Sequence, residues 1–302
     1  MRLATYRRDG LPAGAVVVER DGCDRVVDLV GVSDGAVATV TDALSLDQDA
    51  RAELGRAAAR QEGLVLSDVD LLAPVPRPSK LVAVAGNYQE HLIEGGAARV
   101  DKARAVPLLF LKPPSAILGP EQPLRLPHLS TEVDWEVELA AVIGREAKDV
   151  RPEDVEAHLG GYTILNDVSA RSIDWGVNRD DDAAGWHEFH DWLAGKWFDG
   201  FAPMGPYIVT ADQLREPSSL ALELLVNGEI MQSGFVRDMI FDVAEIVSFA
   251  SRVMTLEPGD VVATGTPAGV GATTSTFLEA GDVMEARIAG LGSLRTPVVG
   301  AA

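Results

Sequence analysis

Two glutamates one residue apart lie in an otherwise apolar part of the chain. Glu136 and Glu138 fall in the segment 134–143, whose composition predicts a β-strand. Because alternate side chains of a strand point to the same face, the two carboxylates are predicted to project side by side. A second apolar segment, 161–166, predicts another strand, and this one ends at Asp167.

These three carboxylates are candidate metal ligands. Neighbouring carboxylates repel each other and lose hydration when buried, and a bound divalent cation compensates for both effects. A set of oxygen ligands without cysteine favours Mg²⁺ or Mn²⁺, and allows Ca²⁺, over zinc. The alternative is that Glu136 and Glu138 face water, which is the usual situation for an isolated Glu-x-Glu pattern.

A histidine and a glutamate at helical spacing are candidates for acid–base chemistry. His91 and Glu94 follow the apolar segment 81–85, and a helix beginning there would bring their side chains together. A carboxylate beside an imidazole orients the ring and prepares it to act as a general base. The alternative is an exposed histidine that forms a surface ion pair.

Two lysines and a glycine-rich turn are candidates for substrate binding. Lys112 ends the apolar segment 107–111, where it is either an edge-strand charge or a group that holds a substrate carboxylate. Lys196 lies among glycines, aromatic residues and prolines, which predicts a rigid loop that borders a site and is not a solvated surface loop. Gly265 and Thr266 follow a predicted strand, and their amide and hydroxyl groups would suit an anion. The alternative for this last segment is a plain tight turn.

Composition and charge exclude several classes of protein. The chain has 302 residues and a formal net charge of -20, which argues against nucleic acid and anionic membranes as partners. The single cysteine, Cys23, excludes an intrachain disulfide. No apolar run reaches the roughly 20 residues needed to cross a bilayer, and the first residues lack the apolar core of a signal peptide. We therefore expect a soluble, cytoplasmic protein.

The order of predicted elements indicates an α+β protein that is predominantly β, with two domains. Short strands and a helix at 49–60 predict a small N-terminal α/β accessory domain over residues 1–72. The segment 73–78 contains three prolines and predicts an extended connector, so the second domain is placed at 73–302. Further strand candidates in the second domain are 107–111, 134–143, 161–166, 206–209, 220–226, 261–264 and 282–288.

Two helices are predicted in the second domain. One, at 152–159, begins with a proline and ends before two glycines. The other runs over 243–254, with Asp242 as N-cap and Glu245 as its capping-box partner.

Taken in order, six motifs resemble the fumarylacetoacetate hydrolase family. The resemblance covers the chain from about Pro74 to the C-terminus. The motifs are Gly-Asn-Tyr-x-x-His-x-x-Glu at 86–94, Phe-Leu-Lys-Pro at 110–113, Asp-Trp-Glu-Val-Glu-Leu at 134–139, Asn-Asp-Val-Ser-Ala-Arg at 166–171, Phe-Asp-Gly-Phe-Ala-Pro-Met-Gly-Pro at 198–206, and Gly-Asp-Val-Val-Ala-Thr-Gly-Thr-Pro-Ala-Gly-Val-Gly at 259–271.

The resemblance implies a fold, an assembly and roles for the matching residues. It implies a mixed β-roll in a homodimer, as in two-domain bacterial members of the acylpyruvase and 2-hydroxyhepta-2,4-diene-1,7-dioate isomerase branch. By this resemblance the metal ligands are Glu136, Glu138 and Asp167, the catalytic residues are His91, Glu94 and Lys196, and Thr266 contacts the substrate. The other candidate substrate-binding residues are Lys112, Arg171 and Gly265.

The sequence departs from the family pattern beside the predicted pocket. Ser172 follows Arg171 where the family usually has aspartate, and Trp197 replaces a small serine after the lysine. The segment 175–194, interpreted as a loop, carries two further histidines, His187 and His190. Trp197 is predicted to pack behind Lys196, because neighbouring residues of a strand point to opposite faces. These changes leave the ligand set intact and predict a departure from the family's usual substrate.

The resemblance and the candidate residues together predict a metal-dependent hydrolase. It would cleave a carbon–carbon bond in an acylpyruvate-type 1,3-diketo acid, as in the catabolism of aromatic compounds. Decarboxylation of an oxaloacetate-like acid and isomerisation of an unsaturated 2-oxo diacid are alternatives, because one metal–enolate site supports all three reactions. A metal-binding protein without catalysis is the remaining alternative, since folds host many functions.

Overall fold

Strands dominate the computed structural model of the protein, which describes residues 1–179 and 183–301. The strands are β1 (Arg2–Arg8), β2 (Leu11–Arg20), β3 (Cys23–Asp28), β4 (Leu64–Val65), β5 (Leu71–Leu72), β6 (Leu81–Ala85), β7 (Leu108–Lys112), β8 (Ile117–Leu118), β9 (Leu124–Arg125), β10 (Val133–Asp134), β11 (Val137–Ile143), β12 (Leu159–Asn166), β13 (Ser169–Ala170), β14 (Ala202–Thr210), β15 (Ala221–Val226), β16 (Glu229–Phe235), β17 (Val261–Ala263), β18 (Val283–Ile288) and β19 (Gly292–Val299).

Short helices connect these strands. They are α1 (Leu29–Val32), α2 (Val40–Ser45), α3 (Gln48–Ala59), α4 (Gln89–Glu94), α5 (Ala184–Ala194), α6 (Val243–Val253) and α7 (Gly271–Thr274). The predicted α+β class with a predominance of strands is confirmed. No described helix is long and apolar enough to cross a membrane.

Two sheets form the framework of the described residues. A 12-stranded sheet follows the order β4-β3-β2-β1-β14-β12-β11-β17-β6-β7, with β5 and β8 paired to β1 and β14 outside that path. A 5-stranded sheet follows the order β16-β15-β18-β19-β9, and β10 pairs with β13. The central strand β11 is antiparallel to both β12 and β17, so the residues that follow these two strands lie near the beginning of β11.

The strand β11 is buried on both faces, which explains its nearly continuous apolar sequence. Leu139 and Ile143 join the core cluster that also contains side chains of β15 and β18. Ala140 and Val142 belong to a second cluster on the opposite face. Because side chains alternate along a strand, Glu138 points to the same side as Ala140. The acidic residue thus lies at the end of a buried apolar face.

The N-terminal strands continue the sheet of the remaining chain. Strand β1 pairs with β14, with Arg2 opposite Val209. One core cluster contains side chains from both sides of the predicted boundary between residues 72 and 73, among them Leu3, Leu29, Val142 and Ile208. The division into domains 1–72 and 73–302 stays a prediction.

The helix α6 has the predicted N-terminus. The Asp242 carboxylate accepts a hydrogen bond from the Glu245 N–H at 2.8 Å, and the Glu245 carboxylate accepts one from the Asp242 N–H at 2.8 Å. This capping box satisfies backbone donors that the first turn leaves free. The predicted helix at 152–159 is instead a 3₁₀ helix over Pro152–His158.

Two sequence predictions near the site are corrected. The predicted strand 134–143 is interrupted, because the Glu136 N–H donates to the side-chain oxygen of Asn166 at 2.8 Å. The segment 175–194, interpreted as a loop, contains the helix α5, whose aromatic residues recur every three positions. Residues 180–182 of that segment lie outside the described part of the chain.

Candidate metal centre and acid–base site

The structure brings the three predicted metal ligands together. One carboxylate oxygen from each of Glu136, Glu138 and Asp167 lies within 4.8 Å of the others, and all three residues are buried. Glu138 is on β11, Glu136 precedes that strand, and Asp167 follows β12. The antiparallel register places the end of β12 beside the start of β11, where the Asp167 N–H donates to the Glu136 carbonyl at 2.8 Å.

Two buried lysines hold two of these carboxylates. The Lys196 ammonium donates to Glu136 Oε2 at 2.8 Å and to Asp167 Oδ2 at 2.7 Å. The Lys112 ammonium donates to Asp167 Oδ1 at 2.5 Å and to the Val168 carbonyl at 3.0 Å. Burial lowers the pKa of Lys112, whereas for Lys196 the effect of burial is outweighed by Asp167 and Glu136, which raise its pKa. Both lysines therefore fix the orientation of Asp167.

An arginine neutralises the opposite side of Glu136. The Arg171 guanidinium donates to Glu136 Oε1 at 2.7 Å and to Asp134 Oδ2 at 2.9 Å. Burial by itself would raise the pKa of Glu136, but Lys196 and Arg171 outweigh it and hold that pKa well below its usual range. Arg171 thus supports the ligand set directly, and its predicted contact with substrate stays a prediction.

Glu138 is the carboxylate that the chain does not compensate. Its Oε2 accepts a hydrogen bond from the Gly265 N–H at 2.7 Å, and among the described residues no cation forms an ion pair with it. Burial, with Asp167 and Glu136 beside it, raises the pKa of Glu138 well above its usual value. A hard divalent cation would relieve this repulsion, so the donor set fits such an ion.

The loop after β17 closes one side of the carboxylate cluster. The Thr266 hydroxyl donates to the Val137 carbonyl at 2.9 Å and accepts from Gln232 Nε2 at 2.8 Å. Gln232 also donates to the Pro267 carbonyl and accepts from the Val137 N–H, both at 2.9 Å. Sequence reasoning missed Gln232, because a polar residue in an edge strand is ordinarily solvent-exposed. Here it is 1% exposed and joins the loop to the ligand strand.

The predicted acid–base pair is formed within α4. His91 Nδ1 lies 2.9 Å from Glu94 Oε1. Glu94 Oε2 also accepts a hydrogen bond from the Gly269 N–H at 2.9 Å. Gly269 has φ +101°, and a Cβ there would lie 2.1 Å from the Met231 carbonyl oxygen, so this loop position requires glycine. The loop that holds Glu138 therefore also holds the pair.

A small cavity of about 60 Å³ lies between the carboxylate cluster and the acid–base pair. Its polar wall contains His91, Glu136, Asp167, Arg171, Lys196 and Thr266, and its apolar wall includes Val84, Phe110 and Trp192. Trp192 was not predicted, since 175–194 was interpreted as a loop. A larger hollow of about 730 Å³ elsewhere contains none of these side chains, so its size does not make it the candidate site.

The remaining predicted residues lie outside this cavity wall. Lys112 contacts the cluster from behind, through Asp167. Trp197 is 41% exposed, and its indole N–H donates to the Leu111 carbonyl at 3.2 Å. That position is consistent with a packing role, but the residue is not buried as a core side chain would be. His190 packs near Trp197, with ring centres 6.4 Å apart.

Comparison with known proteins identifies the family. The family described as fumarylacetoacetate (FAA) hydrolase C-terminal matches residues 80–299. The chain therefore belongs to the fumarylacetoacetate hydrolase family, and the resemblance read from its motifs is confirmed.

Curated relatives match over nearly the whole chain. The mitochondrial oxaloacetate tautomerase fahd2 of Xenopus laevis is 36% identical over 302 residues, which is 99% of this chain and 90% of that protein. The mitochondrial oxaloacetate tautomerase FAHD2A of Homo sapiens is 38% identical over 99% of this chain and 92% of its own length.

Solved structures share the fold. A 2-hydroxyhepta-2,4-diene-1,7-dioate isomerase from Mycobacterium marinum is 35% identical with a TM-score of 0.74, covering 99% of this chain and 98% of its own. The maleylpyruvate hydrolase from Sphingobium sp. SYK-6, solved with manganese(II) and pyruvate, is 30% identical with a TM-score of 0.78, and both chains are covered completely. Family members thus include tautomerases, isomerases and hydrolases.

Proposed function

We propose that this protein is a divalent-metal-dependent enzyme that moves a proton at the carbon beside the carbonyl of a 2-oxo acid, interconverting its keto and enol forms. The observation that carries the proposal is one cavity of about 60 Å³ whose wall contains His91, which is held by Glu94, together with Glu136 and Asp167 of the carboxylate cluster. The whole-length relatives that are oxaloacetate tautomerases support it. This reaction needs one acid–base group and no hydrolytic water.

The carboxylate cluster would hold Mg²⁺ or Mn²⁺ through Glu136, Glu138 and Asp167. When bound, the metal supplies Lewis-acid polarisation of the substrate's oxygen atoms. Lys196 keeps Glu136 and Asp167 in place, with hydrogen bonds of 2.8 and 2.7 Å, and its ammonium adds positive charge beside the reacting end of the substrate.

His91 would move the proton. Its Nδ1 is held by Glu94 at 2.9 Å, which leaves Nε2 for the substrate. In the keto-to-enol direction Nε2 takes a proton from the carbon beside the 2-oxo group, and the same proton is then delivered to the enol oxygen. Glu94 stabilises the imidazolium between these steps, because its carboxylate accepts a hydrogen bond from the Nδ1–H. The Gly269 N–H fixes Glu94 during the transfer.

Hydrolysis of a carbon–carbon bond is the second candidate. It is supported by the manganese- and pyruvate-bound structure of maleylpyruvate hydrolase, which is similar over the whole chain. In that reaction His91 Nε2 would take its proton from water, which would then attack the distal carbonyl of a 1,3-diketo acid.

Product analysis separates the two candidates. We expect the purified protein with Mn²⁺ to accelerate the loss of enol absorbance from fresh oxaloacetate, and to give no cleavage products from acetylpyruvate by mass spectrometry. The matched control is His158→Ala, which removes a histidine outside the cavity and should retain the wild-type rate. Acetate and pyruvate from acetylpyruvate, with no acceleration of tautomerisation, would replace this proposal with the hydrolase.

A further inference from the structure

Three aromatic side chains of α5 form a row that leads from the cavity to the surface. Trp186, Phe189 and Trp192 recur every three residues and so lie along one side of the helix. Ring centres of Trp186 and Phe189 are 6.5 Å apart, and Phe189 stacks with Trp192 at 6.3 Å. Trp192 meets Phe110 edge-on at 5.1 Å. We call these four residues the aromatic row.

Exposure falls steadily along the aromatic row towards the cavity. Trp186 is 77% exposed, Phe189 is 55%, Trp192 is 37% and Phe110 is 7%. The two inner rings, of Trp192 and Phe110, line the cavity whose wall also contains Glu136 and Asp167. Large apolar side chains in contact with one another and open to water are unusual on a soluble surface, and such patches ordinarily mark a binding site.

The inner end of the row is fixed to the reacting groups. The Lys196 ammonium, which holds Glu136 and Asp167, lies 5.4 Å from the centre of the Phe110 ring. At the end of α5, the Gly195 carbonyl accepts a hydrogen bond from the Ala170 N–H at 2.9 Å. A Cβ on Gly195 would lie 2.2 Å from the Ala170 carbonyl oxygen, so the helix closely approaches the segment after Asp167. The inner aromatic rings are therefore held at a fixed position relative to the candidate metal ligands.

The cavity wall offers little to a second anionic group of the substrate. Its lysine and arginine, Lys196 and Arg171, are both engaged by buried carboxylates. The path outward is instead bordered by aromatic rings, which stack favourably on planar apolar groups.

We infer that the aromatic row is a substrate subsite that stacks on a planar, apolar tail, so that the substrate class is a 2-oxo acid with an aromatic or conjugated tail. The inference rests on the proposed function, because the 2-oxo acid end must lie at the carboxylate cluster for the tail to reach Trp192 and Phe189. Oxaloacetate supplies the 2-oxo acid end for the carboxylate cluster but no planar, apolar tail, so it should bind more weakly than a 2-oxo acid that carries such a tail.

Binding of two simple 2-oxo acids tests the subsite without requiring turnover. Phenylpyruvate and pyruvate are titrated by calorimetry into the full-length protein with Mn²⁺. We expect phenylpyruvate to bind about 10-fold more tightly, and the ratio of the two dissociation constants to fall several-fold in Phe189→Ala and in Trp192→Ala. Phe189→Tyr, which keeps the ring, should retain the ratio. Trp197→Ala, which removes a nearby tryptophan outside the row, should leave the ratio unchanged.

Equal affinity for the two acids, or a ratio that does not respond to Phe189→Ala in a normally folded variant, would overturn the inference. The inference would also be overturned if the aromatic side of α5 were covered by a second copy of the chain. The wild-type protein would then show no preference for phenylpyruvate, and Phe189→Glu would convert a dimer to a monomer in sedimentation. A preserved preference without any tautomerisation would instead refute the proposed function and leave the subsite standing.

Discussion

At the scale of single residues, the charged partners of each buried carboxylate decide whether it stabilises or destabilises the metal-free protein. Glu136 is held by Lys196 and Arg171, and Asp167 by both lysines. Glu138 receives only the Gly265 N–H among the described groups. Glu136 and Glu138, two residues of the same type separated only by Val137, therefore have opposite effects on the stability of the metal-free protein.

Substitution of the two glutamates should separate these effects. Glu136→Gln should lower the free energy of unfolding of the metal-free protein by about 3–5 kcal/mol, because it breaks a buried ion-pair network. Glu138→Gln should raise that free energy, because it removes the carboxylate whose charge burial and its neighbours disfavour. Chemical denaturation in EDTA measures both, and a loss of stability in Glu138→Gln would contradict the charge assignment.

Metal addition gives the complementary measurement. At 100 times its dissociation constant, Mn²⁺ should stabilise the wild-type protein by about 2.7 kcal/mol, since it binds the folded cluster and not the unfolded chain. Either glutamine variant should lose most of this gain, and EDTA should reverse it. A wild-type melting temperature that does not respond to Mn²⁺ or Mg²⁺ would show that the cluster is not a metal site.

The role of His91 is tested by turnover. His91→Ala should reduce tautomerisation by roughly 10²–10⁴-fold, the range for a positioned acid–base group. The gain in stability on Mn²⁺ addition should persist, because His91 is not among the three grouped carboxylates. Unchanged turnover, with the same Mn²⁺ response, would assign the proton transfer to another residue.

At the scale of elements, one loop organises both halves of the site. The segment 264–271 holds Glu138 through Gly265 and Glu94 through Gly269. Gln232, from the neighbouring strand β16, ties that loop to Val137 between the two glutamates. The distance between the metal ligands and the acid–base pair is thus set by a few buried hydrogen bonds.

Removal of the Gln232 amide should loosen this arrangement. Gln232→Leu leaves the buried Val137 N–H without an acceptor, at a cost of about 1–3 kcal/mol in unfolding free energy. Turnover should fall more than metal affinity, since the carboxylates keep their lysine partners while the loop shifts against them. The matched control is Gln213→Leu, a glutamine outside this network, which should change neither quantity.

The site residues that contact neighbours close to them in the sequence could be predicted. The site residues that depend on packing between distant segments could not. The contact of His91 with Glu94 follows from helix spacing. The grouping of Glu136 with Glu138 was predicted from strand alternation and is observed, although Glu136 itself lies just before β11. Gln232 and Trp192 reach the site only through the pairing of β16 and the position of α5. The interruption of the strand at Glu136 likewise depends on Asn166, thirty residues away.

At the scale of the whole molecule, the N-terminal strands complete the sheet that carries the site. Strand β1 pairs with β14, which in turn pairs with β12, the strand that ends before Asp167. Side chains from both parts of the chain form one core cluster, in which Leu3 and Leu44 lie with Val142 and Ile208. The region 1–72 therefore covers an apolar face that the remaining chain would otherwise expose.

Deletion of residues 1–72 should leave the fragment 73–302 prone to aggregation. It would expose the free backbone groups of β14 as a sheet edge, together with the apolar side chains that the deleted region covers. Size-exclusion chromatography and thermal unfolding of the fragment measure this directly.

As a control, co-expression of 1–72 as a separate chain should recover soluble protein, because the apolar face of the fragment is covered again without a covalent link. A fragment that is monodisperse and retains the wild-type melting temperature and turnover would show that the N-terminal region is dispensable, and the predicted boundary at residue 73 would then mark an independently folding domain.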